Sequence, residues 1–174
     1  MRVDYPKITA VLLMLVSAAV FAGEPVDESW DIDADAMVSI ENIAGTIEVI
    51  GWGRNEARLT GELGRSVEEL DIDASASRLS ISVDNRNSRN VDSTELKLML
   101  PTGASLDASG VSADIDVSGL ENEKLTASSV SGDVTVAASS ERVSIESVSG
   151  DVEFAGRTQR ISAESVSGDV ELSG

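Results

Sequence analysis

From Leu125 onward, apolar residues return every 18 positions. Leu125, Val143 and Ile161 fall in one column, and Ala127, Ile145 and Ala163 in the next. Val130, Val148 and Val166 follow, then Val134, Val152 and Val170, then Val136, Phe154 and Leu172. An earlier copy (Leu106, Ala108, Val111, Ile115, Val117) lies 19 residues upstream. Eight residues, ESVSGDVE, are written twice without change, at Glu146–Glu153 and Glu164–Glu171. A fixed period of this length is the signature of stacked structural units.

Inside each unit the pattern has the period of a strand. Val143 and Ile145 alternate with Ser144 and Glu146, and Val152 and Phe154 with Asp151 and Glu153. The apolar parity switches between Ile145 and Val148, which predicts a bend near Glu146–Ser147. Ser149-Gly150-Asp151 reads as a turn, and the stretch from Gly156 to Arg160 as a second connection. Two short strands cannot bury their own apolar face, whereas stacked copies can. The pattern therefore predicts an all-β, single-domain parallel β-solenoid (β-helix) with coils of about 18 residues. Its core ladder is expected at Val130, Val134, Val148, Val152, Val166 and Val170. Its repeated turns are expected at Gly132-Asp133, Gly150-Asp151 and Gly168-Asp169. A meander or sandwich of the same strands is the structural alternative.

Upstream the alternation is less regular but still strand-like, at Val38–Ile40, Ile47–Val49, Leu79–Val83 and Leu96–Leu100. Asn85–Asp92 is polar and reads as a loop, and Pro101-Thr102-Gly103 as a turn. No stretch has the pattern of an amphipathic helix. This half is expected to form the opening coils of the same solenoid. Residues 1–22 read as a signal peptide: Arg2 and Lys7 precede an apolar run from Ile8 to Phe21, and Val20-Phe21-Ala22 suits cleavage before Gly23. The division is then a signal peptide (1–22), a lead-in (23–37) and a solenoid (38–174), with regular repeats over 106–174. The sequence stops partway through a coil, which suggests that further coils follow. An open coil end would also invite self-association.

Composition narrows the function. The formal charge is −18 with a pI near 4.1, which disfavours nucleic acid and anionic membranes as partners. The absence of cysteine and histidine removes disulfides, thiol chemistry, the commonest general base and the usual zinc ligands. Ser131, Ser149 and Ser167 thus lack a histidine to activate them. Asp151 and Glu153 could in principle serve glycoside chemistry, but the repeats carry one aromatic residue, Phe154, and it falls in an apolar column. No enzymatic activity is expected.

Asp133, Asp151 and Asp169 would stack about 4.8 Å apart, where unit charges repel by about 1 kcal/mol even in water. Such a column needs water, hydrogen bonds or a cation. Each aspartate is expected to accept backbone N–H bonds in its own Ser-Gly-Asp turn. A Ca²⁺ ladder, with Glu153 and Glu171 adding oxygens, is the weaker alternative, because the spacing is not that of the calcium-binding nonapeptide repeats. No cofactor is expected. Glu146 and Glu164, and Arg142 and Arg160, form further charged columns read as solvated faces. Trp52 is expected to cap the first coil.

Several of these elements together resemble a known family. They are the leader, the stretch Ile47-Glu48-Val49-Ile50-Gly51-Trp52-Gly53-Arg54-Asn55-Glu56, the turn after Leu98–Leu100, Val111-Ser112-Ala113-Asp114-Ile115, and the three Val-Ser-Gly-Asp-Val motifs at 130, 148 and 166. From Val38 onward the chain resembles the bacterial "putative adhesin" domain of unknown function, related to the head domain of auto-transporter adhesins. The resemblance implies a cell-envelope β-solenoid with no known enzymatic role, and members that usually run through more coils. Together these readings predict an exported scaffold in the periplasm or at the cell surface, meeting a protein or glycan partner. A periplasmic envelope-stress sensor, a self-assembling filament subunit and a carbohydrate-active enzyme are the alternatives from other classes.

Overall fold

The computed structural model describes residues 23–84 and 92–174. The expected signal peptide, and all of the expected polar loop but Asp92, lie outside the described residues. The described chain is all β, with ten strands joined in one sheet. They are β1 (Glu24–Asp31), β2 (Met37–Trp52), β3 (Glu56–Leu63), β4 (Glu69–Ser75), β5 (Arg78–Asp84), β6 (Thr94–Pro101), β7 (Ser105–Ser129), β8 (Val134–Ser147), β9 (Val152–Ser165) and β10 (Val170–Ser173).

The C-terminal half follows the 18-residue period. β8 lies parallel to β9, with Val134 opposite Val152 and Val143 opposite Ile161. β9 lies parallel to β10, with Val152 opposite Val170. The extra residue of the earlier copy is absorbed in β7, where the register against β8 shifts between Ser118 and Glu121. These pairings superpose like residues and build inner columns, such as Ile47, Ile115, Val134 and Val152, and Val49, Val117, Val136 and Phe154. All eight are at most 3% exposed. Each fully buried side chain of this kind contributes about 1.5–3 kcal/mol, so the stack is held by columns of branched residues and not by a few large ones.

The N-terminal half departs from the expectation of parallel coils throughout. β2 is the hub: parallel to β7 on one side, and on the other to β5 through Met37–Glu41 and to β6 through Gly45–Trp52. Between these two contacts Gly45 adopts a left-handed φ of 118°, and a Cβ there would lie 2.2 Å from the carbonyl oxygen of Thr94. The buried Asn42 donates from Nδ2 to that same oxygen (3.0 Å). The remaining pairings, β1–β3, β3–β6 and β4–β5, are antiparallel, so the sheet is mixed. Of these, only β4 and β5 are joined by a tight turn, which favours antiparallel pairing, whereas β1–β3 and β3–β6 bring together strands far apart in the chain. The expected lead-in is accordingly a strand, with Glu24 to Asp31 opposite Leu63 to Glu56. Its acidic side chains make β1 a poor template for further pairing.

Asp27 is held to β3 by Arg58, whose Nε and Nη2 donate to the two carboxylate oxygens at 3.0 and 2.9 Å. This bidentate bond holds the Asp27 carboxyl below its ordinary value. A depressed folded-state pKa means the pair contributes stability above the ordinary carboxylate pKa, and that contribution is lost as pH falls through the folded value. An NMR titration of Asp27 should show a midpoint below that of a free aspartate, and Arg58→Leu should return it upward. An unchanged midpoint in Arg58→Leu would remove the pair as its cause.

Candidate functional site

The repeated corner is built differently from the expected one. Val130, Val148 and Val166 do not enter the core; they are 47%, 46% and 78% exposed. The alternation runs on unbroken from Ile145 through Glu146 to Ser147, so the serine turns inward and the valine outward. Ser129 and Ser147 are buried, and Ser165 is half-buried. Their hydroxyls donate to the carbonyls of Ala113 (2.9 Å), Gly132 (3.3 Å) and Gly150 (2.9 Å) on the coil before. A valine in that place would leave those carbonyls without this bond, and an unmet buried polar group is the costlier outcome. The turn then restores the parity: Val134 and Val152 are each 1% exposed, while Val170, on the final strand, is 41% exposed.

Gly132, Gly150 and Gly168 sit in these turns without a left-handed φ. Close approach is what demands glycine. A Cβ on each would lie 2.2 Å from the carbonyl oxygen of Ala113, Gly132 and Gly150 respectively.

The aspartates tie coil to coil, not their own turns. The Asp133 N–H donates to Oδ1 of Asp114 (3.0 Å), the Asp151 N–H to Oδ1 of Asp133 (2.9 Å), and the Asp169 N–H to Oδ1 of Asp151 (2.8 Å). Asp114, on the Val-Ser-Ala-Asp-Ile copy, is the first rung. The carboxylates of Asp114, Asp133 and Asp151 thus each meet a backbone donor, which offsets the repulsion along the column. Among the described residues, no group of three acidic side chains is gathered closely enough to hold a metal ion. Arg142 lies directly opposite Arg160, and Glu146 opposite Glu164. Arg142 pairs with Glu123 of the preceding coil. Trp52 is half-buried; its Nε1 donates to the Glu56 carbonyl (2.7 Å) and the Arg54 guanidinium stands 4.9 Å over its ring, so it braces the turn from β2 to β3.

A second feature lies on the outer face of the sheet, where β4, β5, β2 and β7 run side by side. Here a trough of about 530 Å³ opens. Register places Asp73, Ser80, Ser39 and Asp107 in one row across the four strands. Ser39 and Ser80 join hydroxyl to hydroxyl at 3.0 Å and form the floor. Asp71 and Asp73 stand on one wall and Asp107 on the other, with Arg78, Lys124 and the exposed Met37 at one end. Serine floors the trough because its small side chain leaves depth, while the carboxylates accept hydrogen bonds in an arrangement fixed by the strands. Sequence reading did not single out these residues. Leu70-Asp71-Ile72-Asp73 does carry a strand alternation, but what brings it beside Asp107 is pairing between distant strands.

The described residues thus form an all-β domain, one sheet of mixed strand pairing with a trough on its outer face that combines serines and carboxylates with the apolar Met37, Val38 and Leu106. The chain belongs to the Toastrack DUF4097 family, which matches residues 32–174. Among solved structures it is similar to a "putative cell adhesion protein" from Clostridium sporogenes, with 12% identity over 86% of this chain and 99% of the other, at a TM-score of 0.69. It also matches a "putative adhesin" from Bacteroides fragilis (12% identity, 86% and 96% covered, TM-score 0.38) and a "putative lipid binding protein" from Parabacteroides distasonis (11%, 86% and 97%, 0.31). No curated protein matches it significantly by sequence. At such identity the Clostridium likeness establishes the fold alone. Among the described residues, no helix is long and apolar enough to cross a membrane.

Proposed function

We propose that this chain is an exported, non-enzymatic β-solenoid of the bacterial envelope that works as an adhesin-like interaction scaffold. The trough carries the reading. Its serine floor and flanking Asp73 and Asp107 offer hydrogen-bond acceptors to a ligand rich in hydroxyl groups, which points to a glycan. Its volume lies within the range of small-ligand sites. The parallel β7–β8–β9–β10 stack supplies a rigid support in which every coil matches its neighbour. The name of the Clostridium neighbour agrees with an adhesive role, and the apolar leader with export.

A glycan array probed with the fluorescently tagged chain tests this. Binding to a defined set of glycans is expected, weakened by about tenfold in Asp73→Asn and Asp107→Asn with no loss of melting temperature. Binding to no glycan, or binding indifferent to both substitutions, overturns the assignment of the trough.

A further inference from the structure

At three successive corners a serine (Ser129, Ser147, Ser165) turns inward and the valine after it outward, while Val111, in the same place one coil earlier, follows Gly110. Val111, Val130, Val148 and Val166 are 50%, 47%, 46% and 78% exposed. Backbone bonds align them: Ser131 N–H to the Val111 carbonyl (2.7 Å), Ser149 N–H to Val130 (2.9 Å) and Ser167 N–H to Val148 (3.0 Å). The four therefore form one rib along the outside of the stack, with the strand spacing of about 4.8 Å. A pattern that breaks the inside–outside rule at the same place in each copy marks a position shaped by something other than folding. The buried serines account for the inner half of that pattern. They do not account for valine, where serine or threonine would be better solvated on the outer half.

The rib has a row of aspartates along one side, and on the other it has glutamates beside Val148 and Val166, where serines (Ser109, Ser128) stand beside Val111 and Val130. One residue after each turn glycine stand Asp133, Asp151 and Asp169, all exposed; Glu146 and Glu164 are also exposed. Because Oδ1 of Asp114, Asp133 and Asp151 is tied to the next rung, these carboxylates are held in a fixed row. Arg142, the cation nearest in sequence before Val148, is engaged with Glu123. An apolar rib flanked by these carboxylates is complementary to a basic partner that carries apolar side chains among its cations. A second copy would set carboxylates against carboxylates, and an anionic lipid surface would be repelled likewise.

We infer that the Val111–Val166 rib with its flanking carboxylates is a docking surface for a basic, apolar-bearing protein segment, separate from the trough on β4, β5, β2 and β7. The contact is apolar along its centre and electrostatic along its edges. Its affinity therefore falls with salt, yet depends on apolar side chains in the partner.

The test uses the whole chain and two fluorescent peptides of equal charge, one alternating lysine with leucine and one alternating lysine with serine. By fluorescence anisotropy, the lysine–leucine peptide should bind saturably and at least about tenfold more tightly than the lysine–serine peptide. The triple change Val130→Ser, Val148→Ser and Val166→Ser should erase that difference. Asp133→Asn with Asp151→Asn, which keeps an acceptor for the inter-coil bond, should weaken binding of both peptides. Glu24→Gln with Glu28→Gln, which removes the same charge from the distant β1, should not. Thermal melts confirm that each variant is folded. Equal binding of the two peptides, or equal weakening by the β1 and corner substitutions, overturns the inference and leaves only non-specific attraction. So does sedimentation showing a dimer that the valine changes dissolve, because the occupant would then be a second copy. None of these outcomes depends on whether the trough takes a glycan.

Discussion

Replacing Ile115 by alanine is expected to lower the stability of the chain by about 4 kcal/mol, near the top of the range for truncating a buried aliphatic side chain. Ile115 is 1% exposed and lies between Ile47 on β2 and Val134 on β8. It therefore stands where the irregular N-terminal half meets the regular repeats. Removing its side chain leaves a void with rungs on both sides, and each rung is fixed by a continuous backbone ladder, so neither can close in. Urea unfolding measures the loss. Val148→Ala is the matched contrast: the same period places it in a repeat column, but it is 46% exposed, and the change should cost less than about 1 kcal/mol. A loss at Ile115 no larger than that at Val148 would show that the inner columns do not hold the stack together.

Gly132→Ala is the second large effect. The added methyl would lie 2.2 Å from the Ala113 carbonyl oxygen, 2.6 Å from its carbon and 2.9 Å from the Ser129 hydroxyl. Two of these three atoms are backbone, so relief requires the coils to part at the corner. That movement strains the Ser129 bond to the Ala113 carbonyl and the Asp133 bond to Asp114. A loss of about 3 kcal/mol is expected, at the upper end for overpacking, read as a fall in melting temperature. The neighbouring Ser131→Ala changes an exposed side chain and should stay within about 0.5 kcal/mol. Equal melting temperatures for the two variants would mean that the backbone of the preceding coil places no constraint on the corner glycine.

The two predictions separate two meanings of repetition. In the inner columns the repeated residue is apolar because its neighbours above and below are. At the corner the repeated glycine is small because the preceding coil's backbone passes too close for a side chain. The repeated aspartate is of a third kind: it carries a hydrogen bond across coils, so the bond exists only where a further coil is stacked.

Much of this was open to reading in the residues themselves. Alternation set β structure, the 18-residue period set the parallel register of β8, β9 and β10, and Val134 and Val152 were correctly placed in the core, because strand period and column matching are properties of spacing alone. Val130, Val148 and Val166 face outward, against their hydropathy, for a physical reason. Hydropathy ranks valine above serine, but at this corner the decisive term is a carbonyl oxygen of the preceding coil, a group that belongs to the backbone and leaves no mark on the pattern. The same holds for the direction of the Asp133 and Asp151 bonds, which reach across 18 or 19 residues of chain and not within one turn. The antiparallel strands β1, β3 and β4, and the trough that β4 helps to wall, depend on which distant strands meet. That choice is made by the energy of the assembled sheet. Spacing along the chain thus determined the rungs and their repeat, while the stacked backbone decided which side chains face inward, which face outward, and where the trough opens.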